Sequence, residues 1–286
     1  MNVLSLFDGM SCGQIALNKA GIRYNNYFAS EIDKPSIKVT THNYPKTIQL
    51  GDVTKWQDWN LPKIDLIIGG SPCQGFSRAG EKLNFADERS KLFFDFVDIL
   101  KHYKPEYFLL ENVKMKKEWE VIINNILGVE GVHINSSLVS AQKRERVYWS
   151  NIKNISNPKD KNIFISDIFD VNTRHNEIKI HFPETIKRGK NYAQYDQTLK
   201  GHGSQDQRFF YFDGKTNCVT KSRSSIPKVE YKNKILIMNP EEVEKLQTVP
   251  VGYTGVETKQ NRYSMLGNGW TVDIIAYIFS GMEARN

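Results

Sequence analysis

The first half of this sequence predicts an α/β fold, doubly wound around a mostly parallel sheet, and three observations carry that expectation. Short β-branched or aromatic runs alternate with amphipathic stretches of helical length. The strand and helix units repeat at similar lengths along the first half. The chain has 286 residues, 40% hydrophobic and 25% charged, enough to bury one large core with a smaller module beside it. Such alternation places helices on both faces of the sheet and ligands at the carboxyl ends of the strands.

Taken in order, Asn2 to Phe7 reads as a buried strand, Gly13 to Ala20 as a helix, Tyr27 to Ser30 as a strand and Pro35 to Asn43 as a helix. Thr47 to Leu50 and Ile64 to Ile68 are short strands. In Ser90 to Lys101 the residues Leu92, Phe93, Phe96, Val97 and Leu100 recur at helical spacing, which makes them core rather than a cofactor box. Tyr107 to Leu110, Glu118 to Leu127, Val132 to Val139 and Val147 to Ser150 continue the alternation.

After Asn151 the texture changes to Asn, Lys, Gly and Ser, including Gly201-His202-Gly203-Ser204, which suggests a loop-rich module. A helical pattern returns at Asn239-Pro240, with Glu241, Glu242 and Glu244 suited to a positive helix end. Thr271 to Phe279 reads as a last amphipathic helix that packs back on the first sheet. The expected division is therefore 1–150 with 240–286 as one domain and 151–239 as a second.

Charge separates the same two parts. Residues 151–240 hold 16 Lys and Arg against 9 Asp and Glu, whereas the remainder balances at 23 against 23, so the whole net charge of +7 lies in that segment. A basic module between neutral parts suits a polyanion, because neutralising phosphates releases counterions, although a solvated lysine-rich surface gives the same count. The three cysteines, Cys12, Cys73 and Cys218, are widely spaced and odd in number, which suggests neither a disulfide framework nor a metal cluster. No apolar run approaches the roughly 18 residues of a membrane helix, and the chain opens directly into a strand rather than a signal peptide. A reducing, cytoplasmic setting is expected.

Three short motifs lie at or beside strand ends. Ile67-Ile68-Gly69-Gly70-Ser71-Pro72-Cys73-Gln74-Gly75-Phe76-Ser77 carries a β-branched strand into a turn that presents a thiol, a potential nucleophile. Glu111-Asn112-Val113 closes a second apolar strand, and Gln142-Lys143-Arg144-Glu145-Arg146 precedes a third. Each alone has a bland reading: a buried small residue, a short string, a solvated edge. A fourth segment, Phe7-Asp8-Gly9-Met10-Ser11-Cys12-Gly13, is a glycine-containing turn opening a helix, and gains meaning from two carboxylates. Glu31, at the end of the second strand, can bind ribose hydroxyls, and Asp52, after the third, can accept from an adenine amino group. That pair matches a nucleoside better than a phosphate chain.

In this order, Pro-Cys-Gln, Glu-Asn-Val and Gln-x-Arg-x-Arg resemble the motifs of the DNA (cytosine-5)-methyltransferase family, of the bacterial and phage type. The resemblance implies a Rossmann-like class I methyltransferase fold with a second, smaller DNA-recognition domain. It implies S-adenosylmethionine as methyl donor, with S-adenosylhomocysteine as product, held by Phe7, Asp8, Gly9, Gly13, Glu31, Ile32, Asp52, Val53, Pro72, Asn268 and Trp270. Ser11 stands where many members have glycine, and Ile32 where an aromatic often covers the adenine.

The resemblance also implies a catalytic set of Cys73, Glu111, Arg144 and Arg146. Carbon 5 of cytosine is a poor nucleophile, so a cysteine argues for carbon rather than amino methylation. Addition of the Cys73 thiolate to C6 makes C5 enamine-like. Glu111 then neutralises charge developing at N3, Arg146 holds the O2 side and orients Glu111, and Arg144 supports the Cys73 loop. The cytosine must leave the stack to reach that thiol. Double-stranded DNA is the implied partner, contacted by Gln74, Ser77 and Arg89 and, in the basic module, by Arg208, Lys221 and Arg223 as candidates. A cognate restriction endonuclease is an open companion. Two alternatives stay open at this point: the same chemistry on transfer RNA, disfavoured by Gln74-Gly75-Phe76-Ser77, and a catalytically silent DNA-binding protein.

Overall fold

In a computed structural model, residues 1–71, 88–178, 186–195, 208–222 and 225–282 are described. They pack as two compact units, one of Met1–Ile134, Glu145–Asn157 and Val272–Asn286, the other of Asn135–Arg144 and Pro158–Thr271.

In the first unit the elements run β1 (Asn2–Leu6), α1 (Cys12–Lys19), β2 (Asn26–Ser30), α2 (Lys34–Asn43), β3 (Ile48–Gln49), β4 (Leu66–Gly69), α3 (Glu88–Tyr103), β5 (Tyr107–Val113), α4 (Lys117–Leu127), β6 (Val132–Asn135) and β7 (Glu145–Ser150). The sheet order is β3-β2-β1-β4-β5-β7-β6. Strands β3, β2, β1, β4 and β5 pair in parallel, and β7 runs antiparallel to β5. Strand order therefore reverses direction at β1 and β4, where such a sheet opens a ligand crevice at its carboxyl edge.

The near-continuous apolar runs Val3-Leu4 and Leu66-Ile67-Ile68 are fully buried, as strands covered on both faces must be. Leu4, Leu6, Ile67, Phe93, Phe96, Val97, Leu110 and Trp149 share one core cluster. Phe93, Phe96 and Val97 thus take the core role that their spacing predicts, with Leu92 and Leu100 packed against the same cluster. Helix α2 starts where Asp33 accepts from the Ser36 N–H at 3.1 Å, with Pro35 in the first turn, and α4 ends at left-handed Gly128.

The second unit holds α5 (Ile165–Ile168), α6 (Pro240–Leu246), α7 (Lys259–Asn268) and six strands: β8 (Asn176–Ile178), β9 (Ile186–Arg188), β10 (Tyr192–Tyr195), β11 (Arg208–Tyr211), β12 (Lys228–Tyr231) and β13 (Lys234–Ile237). These strands form a sheet in the order β8-β13-β12-β11-β10-β9. Its small core is Ala193, Phe209 and Ile235. Helix α6 begins with the expected Asn239 and Pro240, Glu242 closing a capping box. The last helix, α8 (Val272–Phe279), belongs to the first unit and packs on α1.

Several boundaries differ from the sequence-based ones, each for a local reason. Val132–Val139 breaks at Asn135, whose side chain accepts from the Ser137 N–H at 3.0 Å and closes a 3-10 turn at Ser136–Leu138. The unit borders also differ from breaks at 150 and 240. Residues 135–144 and 240–271 pack with the second unit because Gln142 and Arg144 donate to carbonyls at 219, 246, 267 and 269. No described helix is long and apolar enough to cross a membrane.

Candidate active site

β1 hands the chain to α1 through a turn that only an unusual backbone can make. Phe7, Gly9 and Ser11 all have positive φ, at 57°, 59° and 64°, and a Cβ placed on Gly9 would meet nothing within 4 Å. Open space therefore lies over the turn. Glu31, just past β2, reaches back to it: Oε2 accepts from the Gly9 N–H at 2.7 Å, while Oε1 accepts from Ile32 N–H and Asp33 N–H at 2.8 Å each. One carboxylate thus locks the turn against β2, with three of its roughly four acceptor positions taken.

Asp52 N-caps a 3-10 helix at Val53–Asp58, its Oδ1 accepting from the Thr54 N–H at 2.9 Å. That backbone N–H, with the Thr54 hydroxyl, holds its carboxyl below the usual aspartate range, so it stays an ionised acceptor. Val53 is buried beneath it, and Ile32 is 71% exposed. An open cradle over Gly9 and acceptors at two neighbouring strand ends fit a nucleoside-bearing methyl donor. Asn268 and Trp270 lie in the second unit, at the end of α7 and just beyond it.

Glu111 and Arg146 meet on adjacent antiparallel strands. The β5–β7 register pairs Glu111 with Tyr148 and Val113 with Arg146. Same-face side chains two residues apart diagonally can touch in this geometry, and Arg146 Nε lies 2.9 Å from Glu111 Oε1. Only 12% and 11% of the two side chains is exposed, so the pair is little screened by solvent. Beside it Asn112 donates to Ser71 O and Ser71 Oγ, both at 3.3 Å. This ties the end of β5 to the residue preceding Pro72-Cys73.

Arg144 sits elsewhere, 3% exposed inside the second unit. Its guanidinium donates to Cys218 Sγ at 3.1 Å, Val219 O at 2.8 Å, Gly267 O at 3.3 Å and Gly269 O at 2.9 Å. Gln142 joins the same network, accepting from the Val219 N–H at 2.7 Å. Gly267 packs so closely on the Thr220 backbone that any Cβ there would collide with it.

Of the DNA-contact candidates, Arg208 packs its guanidinium over the Tyr192 ring at 4.7 Å and Lys221 is exposed. Arg89 is described as backbone in the first turn of α3. Pro72, Cys73, Gln74, Ser77 and Arg223 lie outside the described residues. Sequence reasoning missed the Asn112–Ser71 link, Gln247, whose amide donates to Leu266 O at 2.6 Å, and Tyr27, which donates to Asp8 Oδ1 at 2.8 Å. No spacing rule marks a polar side chain whose partner is distant in sequence.

Among known proteins, the orphan methyltransferase M.Rho11sI of Bacillus phage rho11s is 38% identical over 161 residues, covering 52% of this chain and 32% of that protein. The chain thus spans about a third of that relative's length. Type II methyltransferase M1.ScrFI of Lactococcus lactis subsp. cremoris is 28% identical over 313 residues, covering 98% of this chain and 77% of its own. The solved structure of the Entamoeba histolytica methyltransferase EhMeth shares the fold, with a TM-score of 0.73 at 18% identity over 99% of each chain. The family model described as C-5 cytosine-specific DNA methylase matches residues 1–284. That match spans both units and each of the three motifs, and the chain belongs to the C-5 cytosine-specific DNA methylase family.

Proposed function

We propose that this chain is a DNA (cytosine-5)-methyltransferase that modifies a flipped-out cytosine in double-stranded DNA through a covalent bond between Cys73 and ring carbon C6. The observation that carries the reading is the Glu111–Arg146 pair, Nε to Oε1 2.9 Å, on the strand that Asn112 ties to Ser71. A carboxyl fixed by a guanidinium, one strand away from the turn leading to a cysteine, suits a ring that gains negative charge on nucleophilic attack.

In this reading the Cys73 thiolate adds its electron pair to C6, and the C5=C6 π pair moves toward N3. Glu111 stabilises the charge there, sharing or giving a proton to N3. Arg146 keeps Glu111 in place and hydrogen-bonds the O2 side. When bound, S-adenosylmethionine supplies an electrophilic methyl group, which C5 takes. Loss of the C5 proton and then expulsion of the Cys73 thiolate from C6 restore the aromatic ring. Arg144 serves the reaction at one remove, fixing the Val219 and Gly267–Gly269 backbone. Glu31, Asp52 and the Phe7–Gly13 turn hold the donor, with Ile32, Val53 and Pro72 completing its surroundings.

The basic segment, with Arg208, Lys221 and Arg223, together with Gln74, Ser77 and Arg89, binds and reads the duplex. The first unit then carries the catalytic chemistry, and the basic segment 151–239 serves target recognition, in the cytoplasm.

Bisulfite sequencing of DNA from a methylation-free host expressing the chain tests the function. Protected cytosines within one recurrent sequence are expected. Complete conversion, with the protein present and folded, would refute it.

A further inference from the structure

Within the donor turn, Asp8 forms a buried pair with Tyr27, a residue that the mechanism above does not use. Asp8, two residues past the end of β1, is a buried residue whose Oδ2 is closed to solvent and makes no hydrogen bond among the described residues. Its Oδ1 accepts from the Tyr27 hydroxyl at 2.8 Å, and Tyr27, on β2, is 2% exposed. The same hydroxyl would lie 2.6 Å from a Cβ on Gly13, so the absence of a side chain at the start of α1 is what lets Tyr27 reach Asp8.

Around this pair Gln14 links three hydroxyl groups. The Tyr24 hydroxyl donates to Gln14 Oε1 at 2.8 Å, and Gln14 Nε2 donates to Ser11 Oγ and Thr47 Oγ1, each at 2.8 Å. The groups facing Asp8 are Ser5 from β1, Ser11 from the turn, Tyr27 from β2 and, at longer range, Glu31 and Tyr24. None of them is a cation.

A dry carboxylate with a vacant lone pair and no positive partner is costly to keep ionised. Burial, opposed by the Ser5, Ser11 and Tyr27 hydroxyls, pushes the Asp8 carboxyl up to about 6. A folded-state value above the ordinary 3.8 means that the ligand-free fold binds the proton better than the unfolded chain does. The stability from this group is then full below the ordinary value and is lost as pH rises through about 6. At neutral pH the ligand-free protein carries an unrepaid negative charge within the turn.

We propose that Tyr27 is a positioning residue for the methyl donor, holding the Asp8 carboxylate ionised within the Phe7–Gly13 turn so that a proton on Asp8 and the cationic amino-acid end of the donor compete. This rests on the reading that the turn binds S-adenosylmethionine. Asp8 acts through space as a counter-charge in a low-dielectric layer, and donor binding becomes linked to pH.

The test is calorimetric binding of S-adenosylhomocysteine, which keeps the ammonium group, to the whole chain between pH 5 and 8. Wild-type affinity is expected to be flat near pH 8 and to fall, approaching about tenfold per pH unit, in acid. Tyr27→Phe removes a donor that favours the carboxylate, so the midpoint of that fall moves to higher pH. Asp8→Asn flattens the profile and, with the buried charge gone, raises the melting temperature of the ligand-free protein at pH 7.5. A Tyr27→Phe variant that binds more weakly by the same factor at every pH, its midpoint unmoved, overturns the proposal, as does a flat wild-type profile. No binding by wild type at any pH removes the donor reading itself, and this inference with it.

Discussion

Cys73→Ala is expected to abolish methyl transfer from labelled S-adenosylmethionine to duplex DNA, a loss of at least about 10⁴-fold, on the scale of removing a nucleophile from a covalent mechanism. The size follows from the chemistry of the ring. Without a bond at C6, C5 keeps its aromatic electron distribution and has no pair to offer an electrophilic methyl group. Neither binding nor orientation replaces that electronic change. Binding of S-adenosylhomocysteine and of DNA by the variant should persist, which separates lost chemistry from lost folding. Turnover within tenfold of wild type would mean that the thiol is a bystander.

Glu111→Gln is the second large effect, a fall in turnover of about 10²–10⁴-fold, the range for removing a positioned acid or base. Glutamine is close to isosteric and can still accept from Arg146, so packing at the end of β5 should survive. What disappears is the group that neutralises charge at N3, and with it the counter-charge of Arg146, whose side chain is only 12% exposed. Donor affinity should change little, because Glu111 acts on the base rather than on the nucleoside site. A steady-state comparison checks this: turnover should drop while the donor's dissociation constant stays within about threefold, a difference under 1 kcal/mol. A variant retaining wild-type turnover would remove Glu111 from the mechanism.

Much of the first unit was legible because its chemistry is local. Leu66-Ile67-Ile68 and the Phe93, Phe96 and Val97 spacing report their own burial, and the mostly parallel pairing follows from alternating strands and helices. The placement of Glu31 and Asp52 was legible because each follows a strand end, at the carboxyl edge of the sheet. The 3-10 helix at Val53–Asp58 and helix α7 were not. In α7 the buried Tyr263, Met265 and Leu266 are interleaved with Asn261, Arg262 and Ser264 and followed by Gly267, a pattern without a continuous apolar stripe.

The site shows the same contrast. Arg146 and Glu111 are the second and fifth residues of strands that a period-2 reading can align, whereas Arg144, two residues earlier in the chain than Arg146, belongs to another compact unit. Its role as a bracket for Val219, Gly267 and Gly269 depends on contacts more than 70 residues away along the chain. Asp8 and Tyr27 were opaque for a similar reason: nothing in Phe7-Asp8-Gly9 says that the carboxylate points inward, and only the missing side chain of Gly13 makes room for the hydroxyl that meets it.

The most direct measurement is trapping on DNA that carries 5-fluorocytosine, since fluorine at C5 cannot leave as a proton does. Incubated with the chain and S-adenosylmethionine, such DNA should form a complex that survives denaturation, with peptide mass analysis locating the DNA on Cys73. Methylated product without any trapped complex, or a complex attached to another residue, would contradict the mechanism.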